Sequence, residues 1–492
     1  MEKEQSLLEH LKKYSKSDQY PFHMPGHKRQ IKEEFALDFP NPYEIDITEI
    51  FGFDNLHHPA GILKESMERS AAIYGADRTY YLINGSSCGI LSAICGTTHN
   101  LGTILMSRNC HKSAYHGVFL NHLQTEYIYP QKMANYGVQG GLLPDEIERM
   151  LITHKKIQAV LIVSPTYDGI VSDIKTIATI THKYKIPLIV DEAHGAHFRY
   201  GRDFPSSALD LGADVVIQSL HKTLPSLTQT ALLHVKEGYV DIEKIEMYLQ
   251  IYQSSSPSYL LMAGMEHCIR WMETDGRQCM EQFLERLKAV RKSLGSMKHL
   301  KLLKEDVIGE AGIFDLDLSK LIISTRGTSL DGENLMRILR ERYHLEMEMC
   351  GADYVTAIAT VADTPEGLMR LQSALLEIDG ELERDESLET EGELEKANAT
   401  CGGNYPTLPK AKAVMTIFEA FETKKKRVLF AESAGEISAE YIYVYPPGIP
   451  IVVPGEILQS QIIKTVCAYQ EMGLPVQGLK DAGLQWIHVI AI

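Results

Sequence analysis

Short apolar runs, each closed by small or polar residues, recur along the first half of the chain. "TYYLI" (79–83) leads into "NGSSCGILSAICG", and "GTILMS" (102–107) into "RNCHKSAYHGVFL". "QAVLIVS" (158–164) is followed by "PTYDG", "IPLIVD" (186–191) by "EAHGAHF", and "ADVVIQ" (213–218) by "SLHKT". Runs that are apolar throughout, rather than alternating, are the pattern of strands buried on both faces. Their alternation with helical patterns predicts an α/β fold with a mainly parallel central sheet. Ligands in such sheets gather beyond the carboxyl ends of the strands. The polar residues that follow each run are therefore the candidates for chemistry.

Past residue 250, long helical patterns alternate with "KLIIST" and "YVTAIATV", which predicts a smaller α+β domain over 251–377. In "IDGELERDESLETEGELEKANATCGG" (378–403) acidic and small residues displace apolar ones, the composition of a solvated linker or a frayed helix. Core-forming content returns over 404–492, predicting a C-terminal α+β domain. Residues 1–50 are then an N-terminal arm and 51–250 the large, ligand-binding domain. "KKKR" at 424–427 reads as a solvated helix end.

Composition narrows the partners. A chain of 492 residues, 44% hydrophobic and 23% charged, has the make-up of a globular protein of more than one domain. A net charge of -16 argues against nucleic acid or an anionic membrane surface as the main partner. No run of eighteen apolar residues exists to cross a bilayer, and "MEKEQSLLEHLKKYSKSD" at the start lacks the apolar core of a secretory signal. Eight cysteines without a Cys-x-x-Cys pair predict reduced, mostly buried thiols and a cytoplasmic location.

Four strand ends carry candidate chemistry. Lys222 follows "ADVVIQSLH"; a lysine desolvated there loses its proton readily and becomes an amine nucleophile towards an aldehyde, unless it is only half of a structural ion pair. Asp191 ends "IPLIVD", and a carboxylate after a buried strand needs a positive partner such as a protonated pyridine, or else caps the next helix. "NGSSCG" (84–89), with Ser86, Ser87 and Cys88, opens a helix with free amides suited to a phosphate, and Ser219 and His221 are further donors. His111 either stacks on an aromatic ring or is a satisfied structural histidine. "DEAHGAH" brings Glu192, His194 and His197 together, but without the His-Glu-x-x-His order of a zinc hydrolase, and no metal is expected. Phosphate loop, stacking histidine, carboxylate and lysine, in that order on successive strand ends, fit pyridoxal 5'-phosphate.

The motifs "PFHMPGHK" near residue 21, "DEAHGAHF" at 191, "SLHKTLPSLTQTA" at 219, "SSSPSYLLMA" at 254 and "VYPPGIPIVVPGEI" at 444 together carry a resemblance. The chain resembles the Orn/Lys/Arg decarboxylases, pyridoxal-phosphate enzymes of the aspartate-aminotransferase fold (fold type I), and is most similar to their short bacterial arginine/lysine forms. With PGHK beginning at Pro25, the N-terminal wing domain of the long forms is not expected. The resemblance implies that Lys222 bonds the cofactor's aldehyde carbon, that Asp191 pairs with the pyridine nitrogen and that His111 stacks on the ring. It places Ser86, Ser87, Ser219 and His221 around the phosphate, Ala193 against the other ring face with His194 beside it, and Thr166 along the cofactor. Cys88 stands where some long forms carry threonine, and His194 where they carry tryptophan. It also implies a pocket between two subunits, hence a homodimer or larger homo-oligomer.

The reaction so implied is decarboxylation of a basic L-amino acid: arginine to agmatine and CO2, with lysine or ornithine as the alternatives. A cationic side chain needs acids, and Asp46, Glu49, Asp54 and Glu456 are the candidates. Lys222 and His221 are the candidates for protonating Cα. An aminotransferase or aldolase on the same fold is the rival that releases no CO2. A non-catalytic relative would lack Lys222 or Asp191, and both are present.

Overall fold

The computed structural model describes residues 6–30, 39–133, 135–386, 410, 412–444, 448–471 and 473–491. Its centre is a seven-stranded sheet: β1 (Arg78–Leu82), β2 (Thr103–Ser107), β3 (Gln124–Ile128), β4 (Ile157–Val163), β5 (Leu188–Asp191), β6 (Val215–Gln218) and β7 (Ala231–Val235). Their spatial order is β1-β7-β6-β5-β4-β2-β3. Only β7 runs against its neighbours, and the pairings from β6 to β3 are all parallel. The expected α/β fold with a mainly parallel central sheet is what the chain adopts. β2, β5, β6 and β7 are buried at every position, because side chains alternate between two cores. Along β6, Val216 joins the cluster on one face, while Val215 and Ile217 join the cluster on the other. That two-sided burial is why these strands read as unbroken apolar runs.

All of β1 and β2 to β6 point their carboxyl ends one way, so residues 83–88, 108–113, 164–167, 191–194 and 219–222 collect along one rim. A four-stranded antiparallel sheet, Lys301–Leu302, Lys320–Ser324, Tyr354–Ile358 and Met349–Cys350 in spatial order, forms the smaller domain. The N-terminal segment Tyr20–Phe22 pairs in parallel with Leu345–Met347 beside it. One apolar cluster runs from the large sheet into this smaller domain. The C-terminal domain has its own core, including Phe430, Ile442, Val452, Val466 and Ile487.

Two expectations need correcting here. The helix Pro365–Glu386 runs through the start of the acidic segment, in keeping with the helix alternative, but that start is not solvated throughout. Asp379 is buried and accepts the backbone N–H groups of Lys298, His299 and Leu300 at 2.8–2.9 Å, so this acid holds the loop that leads into the strand Lys301–Leu302 instead of facing water. Residues 387–403 lie outside the described residues. "KKKR" is no helix end: Lys425–Leu429 is a strand paired antiparallel with Trp486–Ile490, its basic side chains on the solvent side.

Candidate active site

β6 ends at Gln218, and Ser219 starts a single helical turn, Leu220–Thr223, that presents Lys222. Leu220 and Thr223 are buried, Lys222 half-buried. The PGHK segment wedges against this turn. Gly26 N–H donates to His221 O at 2.6 Å, and a Cβ added to Gly26 would stand 2.5 Å from Leu224 O. Thr360 Oγ1 donates to Gly26 O at 2.7 Å. Lys28 is fully buried and spans from the arm to the smaller sheet, donating to His23 O at 2.8 Å and Ile358 O at 2.7 Å. Burial pulls its pKa down to about 8 against the opposing pull of Asp363 and Glu348.

Lys222 Nζ lies 3.0 Å from His194 Nε2. Burial lowers its proton affinity; Asp191 and Glu348 act against this, and Lys320 adds to it. Asp191, at the end of β5, is 6% exposed, and Ala193 N–H at 3.1 Å is the only hydrogen bond its carboxylate accepts among the described residues. Burial raises its carboxyl pKa, with Lys222 opposing. A buried carboxylate so lightly satisfied has capacity for a cationic partner. Ser219 Oγ is buried with no partner among the described residues, as are Thr223 Oγ1 and His194 Nδ1.

His111 caps the helix Lys112–Leu120: its Nδ1 accepts Ser113 N–H at 3.3 Å and lies 2.8 Å from Ser113 Oγ, which leaves the ring proton on Nε2. Burial first, then Lys222 and Lys112, drive its pKa down to about 3. The structural reading of His111 and the ring-facing one are therefore compatible. His221 points Nδ1 at Thr230 O, 2.9 Å away, and burial lowers its pKa to about 4. Gln229 donates to Ile83 O, tying the loop after Lys222 to the turn that opens the helix Gly85–Thr97. Gly85 there has φ +72°, and Asn84 makes no side-chain cap, so the first amides of that helix, at Gly85, Ser86 and Ser87, stay open to a ligand. Thr166 closes the turn after β4 by accepting Ile170 N–H at 3.1 Å.

Residues 5–325 match the family described as Orn/Lys/Arg decarboxylase, major domain, and 405–480 match its C-terminal domain. The chain belongs to the Orn/Lys/Arg decarboxylase family. It is 32% identical to an arginine decarboxylase of Bacillus subtilis over 99% of this chain and 98% of that protein. An arginine decarboxylase of Bacillus anthracis is 31% identical over 99% and 97%. A solved lysine decarboxylase of Francisella novicida superposes with a TM-score of 0.78 over 98% of this chain and 80% of that one, at 22% identity, a likeness of fold.

Within this decarboxylase several expected residues sit elsewhere. Cys88 turns into the core, its thiol donating to Gly85 O at 3.1 Å instead of facing the rim, and burial pushes its pKa up to about 12. Asp54 caps the helix Ile62–Tyr74, accepting five backbone N–H groups from Asn55 to Lys64. Glu456 is buried against Arg108 at 3.1 Å and accepts Val453 N–H at 3.0 Å, fastening the C-terminal domain to the large one. Asp46 is exposed, and Glu49 is half-buried on the arm, its charge acting on Tyr259. None of the four is among the charges that act on Lys222. The three residues of "DEAHGAH" diverge: Glu192 binds Ser207, Ala208 and Gln218, His197 binds Asp317, and His194 faces Lys222.

Sequence reasoning missed Glu348, Tyr167 and Lys320. Glu348 bridges three pieces of chain, accepting Met24 N–H at 2.7 Å and the Tyr167 hydroxyl. Lys320 is fully buried 3.2 Å from Asp317. Tyr167 was one place past Thr166 on an already suspected strand end, a signal within reach. Glu348 follows an alternating strand, "LEM", whose acidic face meets the site only through the fold.

Proposed function

We propose that this decarboxylase binds pyridoxal 5'-phosphate through Lys222 and converts L-arginine to agmatine and CO2. The observation that carries the reading is the pairing, on adjacent strand ends, of a half-buried lysine of lowered proton affinity with a buried carboxylate that accepts a single hydrogen bond. The cofactor supplies an electron sink for the pair of electrons left when CO2 departs. Asp191 would keep a positive charge on the ring nitrogen. Ser86, Ser87, Ser219 and the open amides at the start of Gly85–Thr97 would hold the phosphate, where the helix dipole favours an anion. His111, neutral near pH 7 and capped in place, offers a flat face at the site.

Lys222 is poised for two duties: bonding the cofactor as a neutral amine, and returning one proton to Cα, which balances the loss of CO2. His221 has Nδ1 committed to Thr230 O and is the weaker donor. Glu348 is the acid besides Asp191 whose charge acts on Lys222, and it is the candidate for drawing a cationic substrate inward. Arginine is favoured over lysine because relatives matched over nearly their whole length carry the arginine name. A homodimer belongs to this reading, supported by Tyr43, Ile50, Phe51 and Phe53, apolar and exposed where the arm runs into the large domain. A reducing cytoplasm fits the seven free cysteines of the described residues.

The test is incubation of the cofactor-loaded protein with arginine, lysine and ornithine separately, scoring CO2 and amine. Arginine should be turned over fastest, and borohydride should fix the cofactor on Lys222. Lys222→Ala should abolish turnover; undiminished CO2 release from that variant would refute the chemistry.

A further inference from the structure

We propose that His194 is a positioning residue for Lys222: its Nε2 accepts the hydrogen bond of the free Nζ and keeps the amine aimed into the site whenever it has no covalent partner. The proposal takes from the reading above only that Lys222 is the reactive amine.

A lysine amine on a flexible four-carbon stem can be drawn to any of several acceptors around it. Two carboxylates act on this one, Asp191 and Glu348. If Nζ settled on Asp191, it would occupy the very group that should hold the ring charge. If it settled on Glu348, it would be drawn towards the smaller domain. His194 Nε2, 3.0 Å away, gives it a neutral acceptor instead and leaves both acids free.

The imidazole is suited to that task. It is 5% exposed, and burial together with Lys222, Lys320, His221 and His111 keeps it unprotonated, an acceptor and not a competing cation. With Nε2 accepting, the ring proton sits on Nδ1, which is buried and makes no hydrogen bond among the described residues. The ring is therefore held by packing, not by a second polar bond. Its neighbour is Tyr167, centroid 4.7 Å away and tilted by 58°. The Tyr167 hydroxyl donates to Glu348, which in turn accepts Met24 N–H at 2.7 Å. Arm, smaller domain and large domain thus converge on the seat of one imidazole.

The experiment uses the cofactor-free protein, so its outcome is separate from any failure to decarboxylate. Lys222 is methylated with formaldehyde and cyanoborohydride across pH 6–10 and scored by mass spectrometry. The amine condenses with formaldehyde, losing water, and hydride reduces the imine, so the pH midpoint reports the proton affinity of Nζ. Asp191, Glu348, Lys320, His111 and His221 face the pair and stay the same throughout. His194→Phe keeps a ring but removes an acceptor that favours the ammonium form, so the midpoint should fall by about one pH unit. Uptake of pyridoxal phosphate by the same protein should slow by about tenfold, because the amine is no longer aimed. His194→Gln restores an acceptor oxygen and should recover most of both. An unmoved midpoint with unchanged uptake in His194→Phe would overturn the proposal, as would a His194→Gln protein as impaired as His194→Phe. If the phenylalanine variant fails to fold, His194→Leu takes its place in the same comparison.

Discussion

Gly26→Ala puts the wedge beneath Lys222 to the test. The added Cβ would lie 2.5 Å from Leu224 O, 2.8 Å from Leu224 N and 2.9 Å from Thr223 C. All three are backbone atoms, so no side chain can swing aside. Leu224 N–H also closes the turn that carries Lys222, donating to Leu220 O at 2.9 Å. Relief requires either the arm or that turn to move by a good part of an ångström. Overpacking of this kind costs about 1–3 kcal/mol. At about 2–4 °C per kcal/mol for a domain of this size, melting should fall by roughly 2–12 °C. The rate should suffer more than the stability, because a misplacement near 1 Å costs up to about 10²-fold in catalysis. The assay is thermal melting beside CO2 release at saturating arginine. Gly380→Ala is the control: it lies in the helix Pro365–Glu386 with nothing among the described residues within 4 Å of its would-be Cβ, and should melt no lower than the parent. A Gly26→Ala protein with parental melting and parental kcat would refute the wedge.

Asp191→Asn keeps the shape but removes the charge. Turnover should fall by about 10²–10³-fold, while the cofactor-free protein melts at the same temperature or higher, since a costly buried carboxylate has gone; an unchanged rate would dismiss its role towards the ring. Glu456→Gln should leave Arg108 buried without its counter-charge, at about 3 kcal/mol, lowering the melting temperature with the KM for arginine unchanged. A raised KM with parental melting would instead return Glu456 to the substrate pocket.

The amino-acid sequence by itself determined the strands of the central sheet and the polar residue at the end of each. Parallel strands covered on both faces must be apolar throughout, and the place where the run stops marks the rim where ligands bind. Lys222, Asp191, His111 and Ser219 were legible for that reason. The roles of the other acids were not. Asp54, Glu456 and Asp379 look like any solvated carboxylate in an acidic chain, and only the fold supplies the helix end, the arginine and the backbone amides that employ them. Glu348 and Gly26 depend on contacts with segments hundreds of residues away. Local patterning encodes which side of an element is buried; what lies opposite that side is set by how the elements pack.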